Sequence, residues 1–265
     1  TTEIYTLSLH DALPISYYKG EHLNDIWGLT TIGIAKSQEE MDAHLAKVDQ
    51  SSVGTNWGVG DIMYADLDGD GKISNGTNKL GDTGDYRIIG NSTPRFKYGI
   101  TLDAAWKGFD FSIFMQGIGK RDLWLDGCYF WGANGQGNEW QSTGFAEHWD
   151  FFRPEGDPLG ANLNSYYPRV NFSGDRNTKV QTRYLQNGAY LRLKNVQLGY
   201  TLPRVWTEKA GISSVRVYVS GDNLATITSL SKIFDPEATG SLAGTGSGKL
   251  YPLQRVISVG VNVNF

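Results

Sequence analysis

A chain of 265 residues with 33 Gly and 12% aromatic residues, but only 20% charged residues and one cysteine, excludes several classes at once. A net charge of −4 leaves no basic surface for a phosphate backbone, so nucleic acid is not a partner. Cys128 alone permits neither an internal disulfide nor a Cys-rich zinc site. No run of 18 apolar residues occurs, which rules out a membrane helix but not a membrane barrel, whose strands turn only alternate residues to lipid.

Thr1–Ser16 (TTEIYTLSLHDALPIS) reads as translated sequencing-adaptor sequence; it has no basic n-region and no unbroken apolar core, so it is not a signal peptide. A start at Thr1 rather than Met makes the chain an expected piece of a longer protein. Residues 17–94 read as loop region with short strands, one helix and an acidic turn. Tyr17–Lys36 alternates loosely, as one or two short strands do. Ser37 with Glu40 makes a capping box, and Met41, Leu45 and Val48 fall on one face, so a helix runs to about Val48.

The segment GDIMYADLDGDGKIS follows. Asp66, Asp68 and Asp70 at alternate positions, with Gly71 for the sharp turn, match the first half of a calcium loop of the EF-hand type. Three carboxylates at that spacing converge on one cation, and Lys72 offers its backbone carbonyl. The closing bidentate position falls on Thr77, which has no carboxylate; Asp82 or Asp85 can substitute after a longer loop. The same residues also suit an Asx-rich turn that hydrogen-bonds itself.

Residues 95–265 carry the clearest strand pattern. In Arg95–Trp106 the residues Phe96, Tyr98, Ile100, Leu102, Ala104 and Trp106 alternate with a largely polar set, and Phe109–Arg121 repeats the pattern. The two-residue turn Lys107-Gly108 pairs Trp106 with Phe109 on the apolar face. Each arm matches the ~9–11 residues that a tilted strand needs to cross a bilayer. Asp122–Asn187 has little strand pattern but many aromatics, which argue against disorder. Gly188–Leu202 returns to strand, with a phase slip at Lys194-Asn195 that predicts a bulge. Ser213–Gly221 is a further strand, Asn223–Pro252 a second long loop, and Leu253–Phe265 a strictly alternating final strand.

The links between these strands alternate short, long, short, long. Outer-membrane barrels have that asymmetry, with turns on one side and loops on the other. The fold is therefore read as all-β: antiparallel strands forming the closing part of a large transmembrane β-barrel, with long extracellular loops at 122–187 and 223–252. The polar faces carry Arg, Lys, Asp, Gln and Asn, as a wet lumen does, and outer-membrane lipid covers the other face.

The blocks GDIMYADLDGDGKIS, RIIGNSTPRFKYGITLDAAWKGFDFSIFMQGIGKRD, YLRLKNVQLGYTLP, VYVSGDNL and YPLQRVISVGVNVNF resemble the C-terminal part of SusC/RagA-type TonB-dependent outer-membrane transporters. The resemblance implies a 22-stranded, plugged barrel. It implies energy from the TonB complex through an N-terminal part not in this chain, and a SusD-like surface lipoprotein as partner. The cargo would be oligosaccharides or, in some members, peptides. Phe265 at the end of an alternating strand resembles the signal read by the barrel-insertion machinery. Under this reading Trp124, Tyr129, Phe130, Trp131 and Trp140 either contact substrate or the lipoprotein, or pack together to order their loop.

No catalytic constellation is visible. His10, His22, His44 and His148 are scattered, and no G-x-S-x-G, P-loop or H-E-x-x-H occurs, so the chain is not read as an enzyme. The alternative is a secreted β-sandwich glycan-binding module with a structural calcium, which would bury its apolar strand faces against a second sheet.

Overall fold

The computed structural model describes residues 21–77, 81–137, 144–239 and 251–265; Thr1–Ser16 and Trp140 lie outside the described residues. The elements are β1 (Asp25–Gly28), β2 (Thr31–Ile34), α1 (Gln38–Leu45), β3 (Ile62–Tyr64), β4 (Arg87–Asn91), β5 (Arg95–Trp106), β6 (Phe109–Lys120), β7 (Asp122–Leu123), α2 (Gly127–Trp131), β8 (Gln186–Asn187), β9 (Tyr190–Thr201), α3 (Arg204–Thr207), β10 (Ser214–Thr228) and β11 (Val256–Asn264). They fall into two compact units. The first takes residues 21–93 and 122–186; the second takes 94–121, 187–239 and 251–265. A division of the sequence at residue 94 is therefore replaced by one in which the long 122–186 segment belongs with the first unit.

The second unit is a five-stranded antiparallel meander in the order β5-β6-β9-β10-β11. Its register places like with like in rows. Trp106, Phe109, Tyr200, Val217 and Val261 lie side by side across the five strands, and Ala104, Phe111, Leu198, Val219 and Val259 form the next apolar row. In the row beyond these the opposite face carries Asp103, Ser112, Gln197, Ser220 and Ser258. A period of two keeps the faces separate along each strand, and the register carries the separation across the sheet.

The apolar face is open. Leu198 and Val219, on inner strands, are 45% and 42% exposed, and Val259 is 77% exposed. A β-sandwich would bury such residues under a second sheet about 10 Å away. Among the described residues the sheet has no such cover.

Turn chemistry sets the hairpin. Lys107 (φ 47°) and Gly108 (φ 88°) both take the left-handed conformation that a two-residue hairpin turn needs for its twist to match the strands. The bulge expected at Lys194 is present: Phe114 pairs with Asn195 and Met115 with Leu193, leaving Lys194 between them.

Two boundaries differ from the sequence pattern. β10 runs to Thr228 rather than ending at Gly221. Asn223 (φ 53°) breaks the alternation at a bulge, after which Ala225–Thr228 pairs again with β9. β11 begins at Val256 rather than Leu253, because its pairing with β10 starts at Asp222↔Val256. The loop after β10 turns back onto the polar end of β9: Arg192 meets Asp235 at 2.7 Å and Lys194 meets Glu237 at 3.0 Å.

The first unit has little regular structure. β1 pairs with β4 and β2 with β3, each antiparallel. Ser37 Oγ accepts the Glu40 N–H at 3.2 Å and caps α1, while Glu40 Oε2 accepts the N–H of Lys36, one residue earlier than a capping box requires. α1 ends at Leu45, not Val48. Its Met41 is fully buried against Ala35 and Met63.

Gly108 tolerates a side chain poorly, since its φ is left-handed and an added Cβ would lie 3.0 Å from the Thr201 carbonyl oxygen. Gly108→Val is expected to cost about 1–2 kcal/mol. Urea unfolding of the whole protein in detergent would register this as an earlier midpoint, and an unchanged midpoint would contradict the turn geometry.

Candidate functional site in the loop unit

The acidic loop folds around its own backbone. Asp66 accepts the N–H groups of Gly69 (2.6 Å) and Gly71 (2.9 Å), and Gly71 takes the left-handed φ of 82° that the turn needs. Asp68 accepts the Asp70 N–H at 3.1 Å. Buried Asp85, from beyond the loop, accepts the N–H groups of Leu67 (2.7 Å) and Ser74 (2.8 Å). These bonds bring oxygens of Asp66, Asp68 and Asp85 within 4.8 Å of one another.

Asp70 does not join that group; it pairs with the Lys72 ammonium at 3.4 Å and accepts the Lys72 N–H. Asp82 is engaged with Thr77, from both its N–H and its hydroxyl. Asp85 thus stands where the sequence spacing puts Asp70. Three carboxylates with lone pairs to spare form a hard-oxygen donor set of the kind calcium takes.

The charges in this cluster differ in their ease of protonation. The Gly71 N–H, with help from Gly69, holds the Asp66 carboxyl below the usual range. For Asp68 the Asp70 N–H pulls the same way, but desolvation and the charges of Asp85, Asp70 and Asp66 outweigh it and push its carboxyl up.

Phe130, Trp131, Tyr166, Tyr167 and Tyr184 form one packed group. Trp131 lies edge-on to Tyr184 at 4.7 Å and to Phe130 at 5.2 Å, and Tyr166 and Tyr167 close the group at 4.9 Å. Such edge-to-face contacts add about 0.5–1.5 kcal/mol each beyond the area they bury. Phe130 is fully buried, so it orders the loop and offers no face to a partner. Trp131 is buried too, with its indole N–H on the Leu125 carbonyl at 3.2 Å. Trp124 and Tyr129 are half-buried, against Trp131 and Phe145 respectively. Tyr184 donates to the Tyr166 carbonyl at 2.8 Å, and burial pushes its phenol well above the ordinary tyrosine range.

A polar hub that no sequence motif announces holds this segment to the N-terminal part of the unit. Asp61, fully buried, receives the Arg169 guanidinium as a two-pronged pair (2.7 and 2.6 Å), the Asn177 amide (2.8 Å) and the Gly58 N–H (2.9 Å), with Arg176 at 3.3 Å. Gln181, also fully buried, donates to the Asn177 carbonyl (2.8 Å) and accepts the Thr31 hydroxyl (2.7 Å). The signal that would have found Asp61 is weak: one Asp between Gly60 and Ile62, with its side-chain partners more than a hundred residues away.

No family model matches the chain. TonB-dependent receptor P3 of Formosa agariphila is 33% identical over 216 residues, which is 78% of this chain and 19% of that receptor. TonB-dependent receptor P26 of the same organism is 30% identical over 256 residues, 93% of this chain and 23% of that receptor. The chain belongs to the TonB-dependent receptor family. It spans about a fifth of the length of these receptors.

Solved structures agree on the fold. The RagAB peptide importer in its open-open state matches with a TM-score of 0.62 at 21% identity, over 97% of this chain and 25% of that one. The RagAB peptide transporter matches at 0.60 and 24% identity, over 91% and 23%. The antiparallel barrel-wall fold read from the sequence is supported by these matches.

Removing Asp61 leaves the buried Arg176 uncompensated, which costs roughly 3–5 kcal/mol for a buried pair broken on one side. Asp61→Ala in the whole receptor is expected to make the 165–182 segment sensitive to limited proteolysis while β5, β6 and β9–β11 stay protected. Equal protection of both regions would mean the hub is not what holds the segment.

Proposed function

We propose that this chain supplies barrel wall and outer loops to an outer-membrane nutrient importer driven through TonB by segments outside this chain. The importer takes up oligosaccharides or peptides together with a SusD-like surface lipoprotein, and it is a transporter rather than an enzyme. The observation that carries this is the one-sided sheet: adjacent rows of apolar side chains stand open on one face, and Asp, Ser and Gln line the other. Lipid serves as the apolar partner and water fills the polar side.

Details fit that placement. Strands of 12 residues such as β5 and β6 reach roughly 40 Å, enough to cross an apolar layer of about 30 Å when tilted. Trp106, Phe109 and Tyr200 cluster beside the short turn, and Trp206 in α3 is 67% exposed in the other short link. Aromatic girdles at the membrane interface have this character. No helix among the described residues is long and apolar enough to cross a membrane, which bears on helices alone. Phe265, 89% exposed after β11, is read as part of the signal for the insertion machinery.

The acidic loop is read as a structural calcium site on Asp66, Asp68 and Asp85, with the Lys72 carbonyl and Asp70 as the outer positions that the spacing suggests.

Leu198→Arg puts a charge on the lipid face one row in from the aromatic cluster, at a cost of roughly 1–2 kcal/mol, between the interfacial and mid-membrane values. It is expected to lower the amount of folded, heat-modifiable receptor in outer membranes far more than Gln197→Arg, its neighbour on the polar face. Equal loss from both would sink the membrane placement. Uptake of labelled oligosaccharides and peptides by cells carrying or lacking the receptor then decides the cargo.

For calcium, Asp68 takes a proton before Asp66 as pH falls, because its carboxyl sits above the ordinary range and that of Asp66 below it. Calcium at a hundred times its dissociation constant adds about 2.7 kcal/mol of stability. The gain in melting temperature on adding calcium is expected near pH 7 and should shrink by about pH 4, where carboxylates protonate. No gain at either pH would leave the loop as a self-bonded Asx turn.

A further inference from the structure

Beside the packed aromatic group lies a cavity of about 230 Å³, walled by Trp131, Phe145, His148, Phe151, Tyr167 and Val170 among others. From its shape and its lining we infer that it binds one uncharged aromatic ring of phenyl to indole size. This goes beyond the importer reading and stands on the cavity alone.

Size comes first. An apolar cavity of about 150 Å³ accepts benzene, so this one has room for a single or a fused ring. Chemistry narrows the choice. Among the described residues, no Asp, Glu, Lys or Arg lines the cavity. Two of the polar side chains that line it already have partners. His148 Nδ1 accepts the Phe145 N–H at 3.1 Å, which places the ring proton on Nε2, directed at the Phe130 carbonyl at 3.1 Å. Asn134 Oδ1 accepts the Asn171 N–H at 3.0 Å. A pyranose seated here would give up hydrogen bonds to water and recover few, at about 1–3 kcal/mol for each group left unpaired. An aromatic ring gives up none, and the walls offer it edges and faces of five aromatic side chains and an imidazole.

The mouth is built in advance. Trp149 there is 61% exposed, and Val170 is 42% exposed. The Arg153 guanidinium lies over the Phe151 ring at 4.8 Å and over the Trp149 ring at 5.6 Å. Arg153 is itself fixed, by the Gly160 carbonyl at 2.7 Å and the Trp149 carbonyl at 2.9 Å. Backbone pairing completes the frame, with the Tyr167 N–H on the Asp150 carbonyl (3.0 Å) and the Phe152 N–H on the Tyr167 carbonyl (3.1 Å). Rings held this way need no ordering when a ligand arrives, which favours binding.

Saturation-transfer NMR on the whole receptor in detergent tests this, with indole, N-acetyl-tryptophanamide and maltose as probes. Val170→Trp narrows the cavity, and Phe151→Leu removes one ring from its wall without adding bulk. Indole is expected to receive magnetisation from the native receptor, and its signal should fall at least about threefold in both variants, the worth of one aromatic contact. Comparing receptor with variant in the same detergent cancels uptake of the ring by micelles. A matching response from N-acetyl-tryptophanamide identifies the ring as a side chain carried by a peptide; a response from indole alone identifies a free small aromatic. Equal indole signals in the native receptor and in Phe151→Leu would overturn the inference, as would displacement of indole by maltose. Binding is read without transport, so either result leaves the importer reading to its own test.

Discussion

A sheet with one apolar face and no second sheet to cover it is stable only where the medium itself is apolar. Every other feature of the second unit follows from that constraint. In lipid no water replaces a missing backbone partner, so each long strand must pair along its length with the next, and the meander does this from β5 to β11. Side chains alternate, so one face meets lipid and the other meets water, and the register must hold both in line across five strands. The bulges at Lys194 and Asn223 disturb the pairing locally, yet on either side of each the apolar rows remain on one face.

The polar face has its own order. Arg216 reaches across to Asp110, with Nε at 2.9 Å from the carboxylate, and to Gln197 at 3.2 Å. At the other end of β9, Arg192 and Lys194 hold Asp235 and Glu237 of the following loop. Both groups sit on the side read as lumen, and their charges offset one another there. A charged pair on the opposite face would have had no water and no partner.

The first unit solves a different problem. Segments with so little helix and strand must satisfy their backbone groups by other means. Here buried side chains do it. Gln50 accepts the Tyr64 N–H at 2.6 Å and donates to the Ile62 carbonyl, and Asn177 accepts the Ile62 N–H at 3.0 Å. Together with Asp61 and Gln181 these groups join residues far apart in the chain. The aromatic group then fills the space between loops with large rings whose polar ends find carbonyls. The result is a loop region rigid enough to hold a cavity and an acidic turn in place.

How much of this could be read in advance depends on the range of the interactions. The hairpin, the alternating faces, the bulge at Lys194, the cap at Ser37 and the sharp turn at Gly71 are all local, set by neighbours a few residues away, and the sequence by itself determined them. The order of the long strands followed as well: short links pair β5 with β6 and β9 with β10, and the barrel-wall pattern pairs β6 with β9 and β10 with β11 across the long loops. The end of β10 was not legible, because Asn223 breaks the pattern and only the pairing of Ala225–Thr228 with β9 restores it. Nor was the choice of Asp85 over Asp70, which depends on the N–H groups of Leu67 and Ser74 closing a loop longer than the motif's spacing. Asp61, Phe130 and the ring-sized cavity were decided by tertiary structure alone. Their partners lie tens to more than a hundred residues away, and a spacing rule reaches only as far as one turn, one strand or one loop.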